Sequence, residues 1–178
     1  IKLNSYKFRS KVEILNLSNE FVVTVFSREK FLTLENSKDV LGYTTKFRED
    51  PIYLDPRHKD LGARLVTNLE KLHLSLKLLE LKSSNLDEYY SVSNKLGIPQ
   101  INTDKLQNNL FGIECNLNEL NGVDFKKGCY VGQENTARIK LKDKLSKRLF
   151  PVEVIEGDLS KDSIIPVSYT HLTLPTNG

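Results

Sequence analysis

Lys127-Gly128-Cys129-Tyr130-Val131-Gly132-Gln133-Glu134 is the one run in the chain whose residue types are hard to explain by packing alone. It sets a thiol between two glycines, with Lys126 and Lys127 ahead of it and a carboxylate five residues after. Glycine permits positive φ and close backbone approach, so Gly128 and Gly132 allow a tight turn that brings N–H groups near a ligand. Adjacent cations or a helix start favour the thiolate, the reactive form of cysteine. Gln133 and Glu134 suit the first turn of a helix, from which they would orient the loop by hydrogen bonding. The run therefore reads as a cationic thiol loop with Cys129 as its key residue. A buried thiol in a glycine-rich turn is the packing alternative for an isolated cysteine.

Continued by Ala137-Arg138 and preceded by Asn121-Gly122-Val123-Asp124-Phe125, the run resembles the signature of the YgfZ-type folate-binding proteins. These are relatives of the glycine-cleavage aminomethyltransferase that serve iron–sulfur cluster assembly and the tRNA-modifying enzymes dependent on it. Three further stretches agree with that family: Tyr6-Lys7-Phe8-Arg9-Ser10-Lys11-Val12-Glu13-Ile14; Asp55-Pro56-Arg57 with Leu61-Gly62-Ala63-Arg64; and Leu96-Gly97-Ile98-Pro99. The resemblance covers most of positions 6 to 150. It implies an α+β fold: part of an aminomethyltransferase-like folate-binding domain over residues 1–147, with the beginning of a C-terminal β-barrel over 148–166.

It also implies tetrahydrofolate as cofactor. Tyr89 lies where relatives carry an aromatic, often tryptophan, that packs on the pterin, and an aromatic face suits a flat heterocycle; core packing by Tyr89 or Tyr90 is the alternative. Arg57 and Arg64 can face an anion such as the glutamate tail of a folate, or be exposed strand arginines. Lys127, Gly128, Tyr130, Gly132, Gln133, Glu134 and Arg138 support Cys129 in the motif. The sequence departs from the family in the turn before Gly-Ile-Pro, where Ser91-Val92-Ser93-Asn94-Lys95-Leu96 lacks the arginine of many relatives. The nearby acidic residue of glycine-cleavage relatives is absent too. The implied function is thus an accessory role beside iron–sulfur client or assembly proteins, with a folate-dependent aminomethyl or one-carbon transferase as the alternative.

The chain's 178 residues suffice for one domain with a real core, or for a domain and part of another. With 28% charged and 39% hydrophobic residues the composition is globular and not disordered. No apolar run approaches the roughly 20 residues of a membrane span, and no export signal is visible at the start. Cys115 and Cys129 make no disulfide framework, so a reducing cytoplasm is expected. Without a C-x-x-C or a histidine close by, they also make no zinc site or self-contained cluster. Cys115 reads as a packed residue. Methionine is absent and the first residues match a segment internal to the family, so an N-terminal stretch is expected to be missing. Residues 167–178 look like an adaptor-derived tail and are set aside, His171 and Tyr169 included.

From Lys126 to Arg148 eight basic residues face two acidic ones, whereas the whole chain carries a net charge of only +3. Such a segment can hold polyglutamylated folate, RNA phosphate or an acidic partner, or can be a solvated edge. The lack of aromatic interleaving argues against a dedicated single-strand binder.

Patterning predicts the elements around these motifs. Lys11–Leu17 and Phe21–Phe26 read as an antiparallel hairpin about the turn Ser18-Asn19-Glu20. Asp55-Pro56-Arg57 is a turn, and Ala63–Val66 a strand entered from the Gly62 break. The leucines of Asn68–Lys82 fit both a strand and a helix face, and their length favours a helix, with His73 on its polar side. Leu86–Leu96 is a helix with Asn85 as N-cap and Gly97 as its stop. Leu149–Ile155 alternates enough to begin another strand.

Overall fold

The computed structural model describes residues 7–100, 106, 109–130, 133–141, 145 and 147–157. Its organising element is an antiparallel sheet of four strands in the order β1-β4-β3-β2: β1 (Phe21–Phe26), β2 (Thr44–Phe47), β3 (Asp50–Leu54) and β4 (Ala63–Asn68). Strand alternation sends Phe26, Ala63, Leu65, Ile52 and Leu54 to one face, where they are buried. That face is covered by Phe31 of α1 (Arg28–Leu32) and by Leu79, the C-cap of α2 (Leu69–Leu78). Asp50, buried in this layer, accepts a bond from the Thr67 hydroxyl at 2.6 Å. The opposite face carries Phe21, Val23 and Val25 beside Asn68, Val66 and Arg64, and it is open.

The helices start and stop where their caps dictate. Asn68 ends β4 and its side chain accepts from the Glu70 amide at 2.8 Å, so strand becomes helix without a loop. Asn85 caps α3 (Leu86–Lys95) in the same way. Gly97, at φ +66°, closes it: its N–H and that of Ile98 bond back to Asn94 and Ser93 at 2.9 Å each, a Schellman closure that needs a left-handed residue. A second, smaller core joins Leu61 of the 3-10 turn Lys59–Leu61 to Ile98 and Leu120, with Tyr89 and Leu96 against it. The last helix, α4 (Gln133–Lys140), buries only Ile139.

Two expected strands are not strands. The turn at residues 17–21 is formed, but Lys11–Leu17 is unpaired and largely exposed. Asn16 spends its side chain on the Ser18 amide (3.0 Å) and hydroxyl (2.6 Å), local bonds that compete with a sheet ladder. Leu149–Ile155 is irregular as well: Leu149 N–H goes to the Glu114 carbonyl at 2.8 Å, and Pro151 offers no ladder donor. The expected barrel start at 148–166 thus shows no strand over 148–157, and residues 158–178, with the suspected tail, lie outside the described residues.

Candidate functional site

The site grows from the turn after β3. Pro56 fixes the corner, and the Asp55 amide bonds the Gly62 carbonyl at 2.9 Å, closing the loop that carries Arg57. Gly62 has φ +71°, and a Cβ there would press into the carbonyl oxygen of Phe26. Only glycine lets β4 leave the loop so close to β1, and this sets the parity that buries Ala63 and turns Arg64 to the open face.

Asp55, 1% exposed, then gathers both arginines. Its Oδ1 accepts from Arg57 N at 3.0 Å and Nε at 2.9 Å, and its Oδ2 from Arg57 Nη2 at 2.8 Å and Arg64 Nε at 2.7 Å. From α3, the Tyr89 hydroxyl accepts from Arg57 Nη2 at 3.2 Å and Arg64 Nη2 at 2.6 Å. The Arg64 guanidinium also lies 5.7 Å from the Tyr89 ring centroid. Gln100 completes the group; the amide orientation that satisfies it turns its oxygen to Arg57 and its nitrogen to the Tyr89 hydroxyl at 3.1 Å. The Tyr89 ring packs against the second core, the packing alternative for it, while its hydroxyl meets the arginines.

Burial pushes the Asp55 carboxyl up, but the bonds from Arg57 and Arg64 outweigh it and hold the carboxyl below the usual range. The bond to Asp55 raises Arg57 above its already high value. Two guanidiniums against one carboxylate leave a net positive charge beside an aromatic ring, and Arg64, Tyr89 and Gln100 of this group line a cleft of about 970 Å³ together with residues of β1. That combination suits a ligand that is both planar and anionic.

The thiol loop is built differently. Cys129 is exposed. Lys127 Nζ lies 5.0 Å from the Tyr130 ring, and Lys140 Nζ 4.3 Å from that of Phe125, so both cations sit over aromatic faces. Gln133 opens α4 as expected and its Oε1 accepts from the Tyr130 amide at 3.1 Å. Glu134 and Arg138 are exposed on that helix. Gly128 departs from expectation: it does not have positive φ, and a Cβ there would meet nothing within 4 Å, so neither turn geometry nor crowding demands glycine. Gly132, Lys142 and Lys144 lie outside the described residues. The Asn121 amide nitrogen donates to the Pro56 carbonyl at 2.8 Å, tying the start of this motif to the arginine turn.

Patterning missed the residues that hold these parts together. Asp55 reads as turn chemistry, and nothing in the pattern marks Gln100. Asn116 is buried at φ +63° and ties three segments: its Nδ2 donates to Gly97 O (3.2 Å) and Leu149 O (3.0 Å), and its Oδ1 accepts from Arg148 Nε (2.9 Å). Cys115 is half-buried; burial, with Glu114 beside it, raises its thiol. Among the described residues no group of three or more His, Cys, Asp or Glu is placed to hold a metal ion, and no helix is long and apolar enough to cross a membrane.

The curated homologues of this chain are iron–sulfur cluster assembly factors. In particular, they carry the name IBA57. The Dictyostelium discoideum mitochondrial homolog is 32% identical over 174 residues, 97% of this chain and 42% of that protein. The mouse protein is 35% identical over 119 residues (67% and 32%), and the human one 36% over 102 residues (57% and 28%). The chain spans less than half the length of these relatives. No family model matches it, and no solved structure does. The relatives are named as mitochondrial, which overturns the cytoplasmic expectation; two unpaired cysteines report a reducing environment and do not tell one such compartment from another.

Proposed function

We propose that the protein is a YgfZ-type accessory factor of iron–sulfur cluster assembly that uses tetrahydrofolate, and that it acts in the mitochondrion as its named relatives do. It carries an aminomethyltransferase-like fold, Cys129 is its functional thiol, and tRNA-modifying iron–sulfur enzymes are among those that benefit. The observation that carries the folate part is the clasp itself: Arg57, Arg64 and Tyr89, distant in sequence, meet in one hydrogen-bonded group around Asp55. A folate carboxylate pairs with the net positive charge of the arginines, and the pterin uses the Tyr89 ring. The assembly role rests on the homologues, and its partners are iron–sulfur client or assembly proteins.

Direct one-carbon transfer is the weaker reading. Such chemistry needs a carboxylate free to meet the folate nitrogen, and Asp55 is committed to two arginines. An RNA partner is weaker still, because Lys127 and Lys140 lie over rings of their own chain.

Tetrahydrofolate titration by calorimetry tests the clasp. Tyr89→Phe keeps the ring and loses one hydroxyl, so binding should weaken by no more than about tenfold, the worth of one charged hydrogen bond. Tyr89→Leu removes the ring and should abolish measurable binding. Equal affinity in wild type and Tyr89→Leu would place the ligand elsewhere.

A further inference from the structure

The chain runs from Arg57 to β4 through the 3-10 turn Lys59–Leu61, and the cap of that turn differs in kind from those of α2 and α3. Asn68 and Asn85 cap the two helices with amide oxygens, whereas here an imidazole accepts: Asp60 N–H donates to His58 Nδ1 at 3.2 Å. His58 has the extended backbone of an N-cap (φ −161°, ψ 144°), and its side chain is 18% exposed. A ring nitrogen accepts only through a free lone pair, so this bond needs the tautomer with its proton on Nε2. The Asp60 carboxylate lies 3.7 Å from the same Nδ1 and offers the competing arrangement, an imidazolium that donates to it. The two exclude each other, because a proton on Nδ1 ends the bond from Asp60 N–H.

We infer that His58, as the Nε2–H imidazole, is a positioning residue for the arginine clasp. It follows Arg57 directly. The turn it caps carries Leu61, 2% exposed, whose side chain belongs to the core on which the Tyr89 ring packs. Leu61 N–H bonds His58 O and Gly62 N–H bonds Lys59 O, each at 3.2 Å, and Gly62 O takes the Asp55 amide at 2.9 Å. The capping bond thus lies inside the closed loop that presents Arg57 at one end and starts β4, with Arg64, at the other. Without it the turn keeps an unmet donor, and Arg57 loses the fixed backbone from which it reaches Asp55 and Tyr89. What the clasp holds rests on the folate reading; its positioning by His58 is measurable without a ligand.

Two nuclear magnetic resonance measurements on the whole chain test this. The first needs no variant: long-range proton–nitrogen correlations at neutral pH should show His58 with Nε2 protonated and Nδ1 bare. An imidazolium, or a proton on Nδ1, overturns the inference. The second reads the Nε–H signal of Arg57, which reports the clasp itself. In His58→Ala it should exchange with water at least about fivefold faster than in wild type, and His58→Asn, which keeps a neutral acceptor at the cap, should return it to within about twofold. The Leu65 amide, between β1 and β3, should stay protected in both variants and so report an intact sheet. Wild-type exchange at Arg57 in His58→Ala overturns the inference; so does failure of His58→Asn to restore it, since the imidazole would then act by packing and not by accepting a bond. A wild type that shows the expected tautomer and Arg57 signal yet binds no tetrahydrofolate keeps the positioning role and removes the folate reading alone.

Discussion

The Asp55 turn and the Cys129 loop belong to the same motif family in sequence, yet the fold holds them in opposite ways. Asp55 is buried and accepts four bonds from two arginines, which in turn share the Tyr89 hydroxyl. Cys129 is exposed, and of its neighbours Lys127 lies over the Tyr130 ring while Tyr130 bonds Gln133 through its backbone. A site whose parts are interlocked inside a fold serves to position a ligand. A thiol on a lightly held loop serves to meet something that comes from outside. Substitutions in the first region should therefore damage the fold, and substitutions in the second should damage only what the protein does with its partners.

The largest effect is expected at Gly62. Gly62→Ala puts a methyl against the Phe26 carbonyl at φ +71°, where neither backbone can yield without parting β1 from the loop. Clash and strain together should cost about 3 kcal/mol or more, read as a lower midpoint in chemical denaturation. A change below about 0.5 kcal/mol would mean that the loop is not held as tightly as the clasp requires.

Asp55→Ala comes next. Removing the carboxylate leaves Arg57 and Arg64 facing each other without a counter-charge, a loss of about 3 kcal/mol for a buried pair deprived of one partner. Stability should also depend less on acid pH. The folded carboxyl titrates below its unfolded value of about 3.9, so the folded chain binds fewer protons in that window and stability rises with pH through it. The Asp55 contribution is therefore whole above that unfolded value and disappears as pH falls through the depressed folded one. Denaturation midpoints followed across the acid range should fall in wild type and stay flatter in Asp55→Ala.

How much of this was readable beforehand depends on range. The caps of α3 were legible because Asn85 and Gly97 act on backbone within a turn of themselves. Arg57, Arg64 and Tyr89 were each visible through the family motif. Their meeting was not, because it depends on which face of β4 points outward, a parity set by Gly62 and by pairing with β1. Asp55 was seen only as a turn former, since nothing in Asp-Pro-Arg tells that the same carboxylate reaches a strand nine residues on. The hairpin was half legible: its loop and second strand are formed, and the first strand is diverted by the short-range bonds of Asn16. Gly128 was over-read, its place in the motif having been taken for a backbone need that the geometry does not impose.

The smallest effect on the fold is expected at Cys129, and it is the sharpest test of the contrast. Cys129→Ser exchanges one exposed atom, so stability should move by less than about 0.5 kcal/mol. Tetrahydrofolate affinity should stay at the wild-type value, because among the described residues no bond links this side chain to the arginine clasp, and Asn121 is what ties the start of the motif to that turn. Support of an iron–sulfur client, measured as activity of the client enzyme in cells carrying the variant, should be lost. A stable, folate-binding protein that fails its client separates the two regions by function as they are separated by structure. Full client activity in Cys129→Ser would instead make the loop a passive surface and move the working part of the molecule to the buried clasp.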